Sequence, residues 1–76
     1  MVNTSKMQGI MREKGHTIKS LAKAIGLSQT GLFNKIHNKR EFALSELAAI
    51  IEEMCLTIDE TIAIFFMHNI PKNQSA

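Results

Sequence analysis

Apolar side chains recur at intervals of three and four residues along most of the chain, the spacing of one face of an α-helix. Met7, Ile10 and Met11 form the first such stripe and predict a helix over about residues 4–14. Similar stripes predict four more helices, over about residues 18–25, 29–37, 44–54 and 58–67. No segment alternates apolar and polar positions as a half-buried strand does. We therefore predict a compact all-α fold of five helices.

The last two predicted helices differ in how their apolar residues are distributed. The fourth is expected to turn one stripe inward, which consists of Leu44, Leu47, Ile50, Ile51 and Met54. The fifth is apolar almost all round over residues 62–67, which is unusual for a surface helix of a small monomer. We therefore expect a dimer interface that overlaps the core, with burial inside the monomer as the alternative. The expected interface residues are Ile64, Phe65, Phe66 and Met67.

The 76 residues are enough for one domain. Residues 57–60 fit a capping box that opens the fifth helix, and Pro71 ends the helical pattern. We expect a single domain over residues 1–70 and a flexible tail over residues 71–76.

The turn between the second and third helices has the most specific pattern in the sequence. Gly26 can adopt a positive φ, and Ser28 can cap the helix that follows. Leu32 and Ile36, six and ten residues after this glycine, would fix the third helix to the core. Ala22 is small, which lets the two helices cross closely. These features describe a helix-turn-helix in helices 2 and 3.

Charge divides the chain into two unequal parts. Residues 1–40 contain eight of the nine Lys and Arg residues and one acid, Glu13, for a net charge of +7. Residues 41–76 contain one base and six acids, for a net charge of −5. This division favours a polyanionic partner for the first part of the chain.

These residues resemble the Cro and phage-repressor (Xre-type) family over about residues 5–66. The resemblance rests on Leu21-Ala22, Gly26-Leu27-Ser28, the run Gln29-Thr30-Gly31-Leu32, and Lys35-Ile36 before a basic loop with Phe42. It implies a five-helix, lambda repressor-like domain and a small phage-type transcriptional regulator, repressor or Cro-like. It also implies a homodimer on a pseudo-palindromic operator in double-stranded DNA.

Base contacts are expected from the outward face of the third helix, residues 29–37. Gln29 and Asn34 can pair with adenine, and Thr30 can hydrogen-bond or touch a thymine methyl group. Phe33 leaves two possibilities open, since it can press on thymine methyl groups or fold back onto neighbouring helices. Contacts to DNA phosphates are expected from polar residues around this helix, namely Thr17, Lys19, Ser28, Lys35, Asn38, Lys39 and Arg40.

Two positions depart from the family pattern. Ile18 stands where most of the family has a glutamine that contacts phosphate and braces the recognition helix, and isoleucine does neither. Ala43 stands where Ser or Thr usually caps the fourth helix, which costs about 1 kcal/mol without a substitute.

No catalytic, metal or cofactor site is expected, and we therefore do not predict an enzyme. His16, His37 and His68 have no other ligands at metal-binding spacing. Cys55, the single cysteine, is expected to be a small buried apolar residue in a reducing compartment. The sequence has no targeting signal and no apolar run of about 18 residues, so a cytoplasmic protein without a membrane span is expected.

A second function remains open on the same scaffold, a protein-interaction module such as an antirepressor or an antitoxin. Ile18 and the apolar fifth helix favour it, and it implies a protein partner in place of DNA.

Overall fold

The structure, a computed structural model, describes residues 1–66 as five α-helices. They are α1 (Thr4–Glu13), α2 (Ile18–Ile25), α3 (Gln29–Ile36), α4 (Leu44–Met54) and α5 (Ile58–Phe65). No strand occurs within this range, which confirms the all-α prediction for the described part of the chain. Residue 67 of the expected fifth helix and the expected tail over residues 71–76 lie outside the described residues.

The helices pack around one apolar core. α2 packs against both α3 and α4, and α1 packs against α5. Every helix contributes at least one fully buried large side chain, and these are Met7, Leu21, Leu32, Ile36, Ile50, Met54 and Ile64. Because each such side chain stabilises the fold by about 1.5–3 kcal/mol when it leaves water, this core fixes the relative positions of α2 and α3.

Reciprocal hydrogen bonds begin two of the helices. At α2, Thr17 Oγ1 accepts from the Ser20 N–H at 3.0 Å, and Ser20 Oγ accepts from the Thr17 N–H at 2.9 Å. At α5, Thr57 and Glu60 make the same exchange at 3.0 and 2.9 Å. The capping box predicted over residues 57–60 is confirmed.

Residues 2–4, at the start of α1, connect three helices. Val2 is buried, and the Asn3 N–H donates to the carbonyl oxygen of Ile64 in α5 at 2.7 Å. The Thr4 hydroxyl donates to the carbonyl oxygen of Ile36, at the end of α3, at 2.7 Å. The start of α1 is therefore fixed to the ends of both α3 and α5.

Two predictions of burial are wrong. Leu44 is 83% exposed. It is the first residue of α4, and the first turn of this helix lies outside the part that is buried, which contains Ile50 and Met54. Cys55 is exposed because it ends α4 with φ at 51°, where the chain turns away from the helix.

Candidate nucleic-acid interface

The turn from α2 to α3 has the predicted geometry. Gly26 has φ at 79° and ψ at 26°, in the left-handed region that glycine tolerates best. The Leu27 N–H donates to the carbonyl oxygen of Ala22 at 2.9 Å, which closes the end of α2. Ser28 Oγ accepts from the Gly31 N–H at 2.9 Å and so caps α3. Three residues thus set the angle at which α3 leaves α2.

α3 has a buried face and an accessible face. Leu32 and Ile36 are fully buried, as predicted. Gln29 and Thr30 are exposed, and Asn34 is partly exposed. The side chains of these three polar residues make no hydrogen bond to any other side chain or backbone group within residues 1–66. Their donors and acceptors are therefore available to a partner.

Phe33 lies on the accessible face and is 43% exposed. Its ring stacks on His37 with centroids 4.1 Å apart, and Lys39 Nζ lies 5.8 Å from the ring centroid. The ring therefore contacts residues at and just beyond the end of α3 and stays partly open to solvent, so contact with thymine methyl groups remains a prediction.

A shallow depression lies beside Phe33, where the first turns of α2 and α3 meet. Ile18, Gln29, Thr30 and Phe33 line it, and it has a volume of about 340 Å³. We call it the α2–α3 depression. Ile18, which the resemblance to the family marks as a lost phosphate contact, forms part of its wall. Sequence spacing within one helix gives no sign of this depression, because its walls come from two helices.

Lys35 forms an ion pair with a residue of another helix. Its ammonium group donates to both carboxylate oxygens of Glu46 in α4, at 2.6 and 2.7 Å, and both side chains are more than four-fifths buried. This hydrogen bond, together with one from the Ala43 N–H, holds the pKa of Glu46 below its ordinary value of 4.5. Lys35 therefore joins α3 to α4, where the sequence predicted a phosphate contact.

Asn38 is also held by the chain itself. It has φ at 65°, and its side chain accepts from the Val2 N–H at 2.6 Å and donates to the Val2 carbonyl at 2.9 Å. The amide oxygen and one amide N–H of Asn38 therefore bond the segment before α1, a contact that the sequence gave no reason to expect.

The remaining residues expected at phosphates stay accessible. Lys19, Lys39 and Arg40 are exposed, and none forms an ion pair within the described 66 residues. Thr17 and Ser28 use a hydroxyl oxygen as helix-cap acceptor, which leaves each O–H free to donate. Both hydroxyls also stand at helix N-termini, where anions are favoured.

The expected dimer residues divide between the core and the surface. Ile64 is fully buried and Phe65 is 5% exposed, so both are already covered within the chain. Phe66 is 49% exposed, and Met67 lies outside the described residues. Two further residues of α5, Ile58 and Ile62, are 79% and 36% exposed. With Phe66 they follow an i, i+4, i+8 spacing, and we call these three residues the α5 stripe.

Histidine and acidic side chains form no metal site in the described chain, where no three potential ligands come together. His16 instead hydrogen-bonds Ser20 at 3.0 Å and lies 3.8 Å from Glu53. No helix formed by residues 1–66 is long and apolar enough to cross a membrane.

The chain matches no protein-family model, no curated protein and no solved structure. The function of α3 is therefore inferred from its own side chains and their surroundings.

Proposed function

We propose that this protein binds duplex DNA sequence-specifically through a lambda repressor-like helix-turn-helix formed by α2 and α3. Its role would be that of a small transcriptional regulator of the Cro and phage-repressor type. The observation that carries the proposal is the accessible face of α3. It presents Gln29, Thr30 and Asn34 without internal hydrogen bonds, while Leu32 and Ile36 hold the opposite face in the core.

An exposed helix of this kind fits the major groove, which is about 12 Å wide. Gln29 and Asn34 have the paired donor and acceptor that match adenine N6 and N7. Gln29 is the first residue of α3, and in helix-turn-helix proteins the N-terminal residues of the second helix contact base edges.

Phosphate contacts in this proposal come from residues that the fold leaves available. Lys19, Lys39 and Arg40 supply positive charge, and Thr17 and Ser28 supply hydroxyl donors. Lys35 and Asn38 are given structural roles, since Glu46 and Val2 already occupy them. Counterion release by the basic residues would make the affinity strongly dependent on salt.

We further propose that two copies bind together, joined through the α5 stripe. Exposed Ile58, Ile62 and Phe66 form an apolar surface, and α5 belongs to the acidic part of the chain, which DNA would repel. A second copy would place two α3 helices about 34 Å apart, over the two halves of a pseudo-palindromic site.

Fluorescence anisotropy with selected duplexes tests DNA binding. A random 30-base-pair pool is first enriched for bound sequences at low salt, and the best duplex is then titrated. We expect Gln29→Ala to weaken binding by about 1–3 kcal/mol without changing thermal stability. Gln8→Ala is the matched control, because Gln8 lies on α1, outside the proposed helix-turn-helix.

Failure to bind any duplex at low salt would overturn the proposal. Co-purification of a stoichiometric protein partner in that case would favour the interaction module, with the α5 stripe as its contact surface. Equal affinities of the Gln29 and Gln8 variants would leave DNA binding intact but remove Gln29 as a base-contacting residue.

A further inference from the structure

A turn after α3 carries two of the residues that the proposed function assigns to phosphates. The chain reverses at Asn38, whose φ is 65°, and Lys39 and Arg40 follow it. The N–H groups of Lys39 and Arg40 both donate to the carbonyl oxygen of Asn34 in α3, at 2.8 and 3.3 Å. The backbone of residues 38–40, which we call the basic turn, is therefore held against the end of α3.

The side chain at which the chain reverses is fixed by a residue outside α3. Asn38 Oδ1 accepts from the Val2 N–H at 2.6 Å, and Asn38 Nδ2 donates to the Val2 carbonyl oxygen at 2.9 Å. Val2 is itself held in place, because its side chain is buried and the next residue, Asn3, donates to Ile64 in α5 at 2.7 Å. The conformation of the basic turn therefore depends on a residue 36 positions earlier in the chain.

A turn that is already fixed binds phosphate at a lower entropic cost. Ordering the backbone of even one residue on binding opposes association, and so does immobilising a long side chain such as lysine or arginine. With the backbone of the basic turn held before DNA arrives, only the side chains of Lys39 and Arg40 have to be ordered.

We propose that the two hydrogen bonds between Asn38 and Val2 preorganise the basic turn for DNA phosphates, so that both are positioning residues. The inference rests on the proposed DNA-binding function, and it gives the segment before α1 a part in that function. Asn38 then raises the affinity through Lys39 and Arg40, without a phosphate contact of its own. It does not change which bases Gln29 prefers.

A double-mutant cycle tests this indirect role. Asn38→Gly tolerates the positive φ and removes both hydrogen bonds, and we expect about tenfold weaker binding of the best selected duplex. The neutral-turn variant, Lys39→Gln with Arg40→Gln, should weaken binding about 25-fold in the parent protein but only about fivefold in the presence of Asn38→Gly. The combined cost would then be about fivefold smaller than the product of the separate costs.

Lys19 provides the matched control cycle, since it is an exposed lysine on α2 that is expected at a phosphate but lies outside the basic turn. The costs of Lys19→Gln and Asn38→Gly should multiply to within about twofold. Affinities are measured by anisotropy at a temperature at which circular dichroism shows every variant to be folded. Equal deviations in the two cycles would mean that Asn38→Gly disturbs the whole fold, which overturns the positioning role.

Val2→Pro separates positioning from direct contact. Proline has no N–H, so this variant removes the 2.6 Å hydrogen bond and leaves Asn38 itself unchanged. If Asn38 positions the basic turn, binding should weaken about threefold. If Asn38 contacts phosphate itself, its release from Val2 should leave binding unchanged or tighten it, and the inference is overturned. The same variant carries the test if Asn38→Gly does not fold.

Failure of this inference can be told apart from failure of the proposed function. If a duplex binds and Asn38→Gly changes its affinity by less than about twofold, the positioning role is overturned and the proposed function stands. The same conclusion follows if the costs of Asn38→Gly and the neutral-turn variant multiply in full. If the parent protein binds no duplex, the proposed function and the positioning role are overturned together.

Discussion

Cys55 and Asn38 are the two non-glycine residues with positive φ in the described chain, at 51° and 65°. Asn38 is suited to this conformation, since asparagine tolerates it and its side chain bonds Val2. Cys55 has no comparable contact, because its thiol makes only a weak 3.8 Å hydrogen bond to the Glu52 carbonyl. Backbone strain at Cys55 therefore has little to offset it.

Replacement of Cys55 by glycine should stabilise the protein. Cys55→Gly removes the β-carbon that disfavours the left-handed region, and we expect a gain of about 0.5–1 kcal/mol after the greater freedom of glycine in the unfolded chain is counted. Urea unfolding at constant m-value measures this gain. Cys55→Ala keeps the β-carbon and should leave the midpoint unchanged, so equal gains in both variants would contradict the explanation.

The ion pair of Lys35 and Glu46 should make stability depend on pH. Because the pKa of Glu46 is lower in the folded protein than its ordinary 4.5, the pair stabilises the fold above that value. This contribution is lost as the pH falls from 4.5 through the lower, folded pKa. Glu46→Gln should cost about 1 kcal/mol at neutral pH, and its stability should approach that of the parent protein in acid.

Urea unfolding at several pH values between 7 and 3 gives both curves. Glu41→Gln is the control, since Glu41 is exposed and makes no ion pair within the described residues. A constant difference between the parent protein and Glu46→Gln across this range would refute the role of the carboxylate.

Residue-scale predictions from sequence succeeded where the reason is local. Gly26 adopts the expected positive φ, and Ser28 caps the helix that follows it. The contacts of Lys35 and Asn38 were missed because their partners lie 11 and 36 residues away. Helical spacing describes neighbours within one helix, and it does not specify which side chain of another helix a lysine will meet.

At the scale of elements, α4 is the described helix with the weakest N-terminal cap. Glu46 accepts from the Ala43 N–H at 2.9 Å, but Ala43 offers no side-chain acceptor in return. α2, α3 and α5 each begin with a hydroxyl that caps the helix. The capping defect predicted at Ala43 is therefore only half compensated.

A serine at position 43 should complete this cap. Ala43 has φ at −73° and ψ at 154°, a conformation that capping residues share, so Ala43→Ser needs no backbone change. We expect a gain of about 0.5–1 kcal/mol, which corresponds to a rise in melting temperature of about 2–8 °C. Calorimetry measures it, and Ala43→Val, which adds volume without an acceptor, should give no such gain.

Helical spacing predicts which side chains are buried along the middle of a helix better than it predicts burial at the ends of the helix. Buried side chains such as Leu21 and Ile50 lie where apolar spacing places them. Leu44 fits the same spacing but is exposed, because a helical stripe is buried only along the length that other helices cover. The α2–α3 depression likewise cannot be predicted from the spacing within one helix, since it depends on where two helices meet.

At the scale of the whole molecule, the two oppositely charged parts of the chain are joined by ion pairs. Lys35 bonds Glu46, and Lys14 lies 3.5 Å from Glu60. These pairs use positive charge for internal contacts and leave the basic residues near α3, among them Lys39 and Arg40, for an external anion. Formal charge alone therefore overstates the positive charge that is available to an external anion.

Salt dependence should separate the two kinds of lysine. Lys39→Gln and Lys35→Gln change the net charge equally, but only Lys39 is expected to displace a counterion from DNA. We expect the slope of log affinity against log salt concentration to fall by about 1 for Lys39→Gln and to stay the same for Lys35→Gln. Equal slopes for the two variants, in titrations where both are folded, would contradict this assignment.

The hydrogen bonds of residues 2–4 also determine when the molecule can be completed during synthesis. Asn3 is synthesised before its partner Ile64, which is added 61 positions later. Thr4 and Val2 can meet Ile36 and Asn38 earlier, so the nascent chain can join residues 2–4 to α3 before α5 exists. Release of α5 from the exit tunnel is therefore the event that closes the core around Ile64.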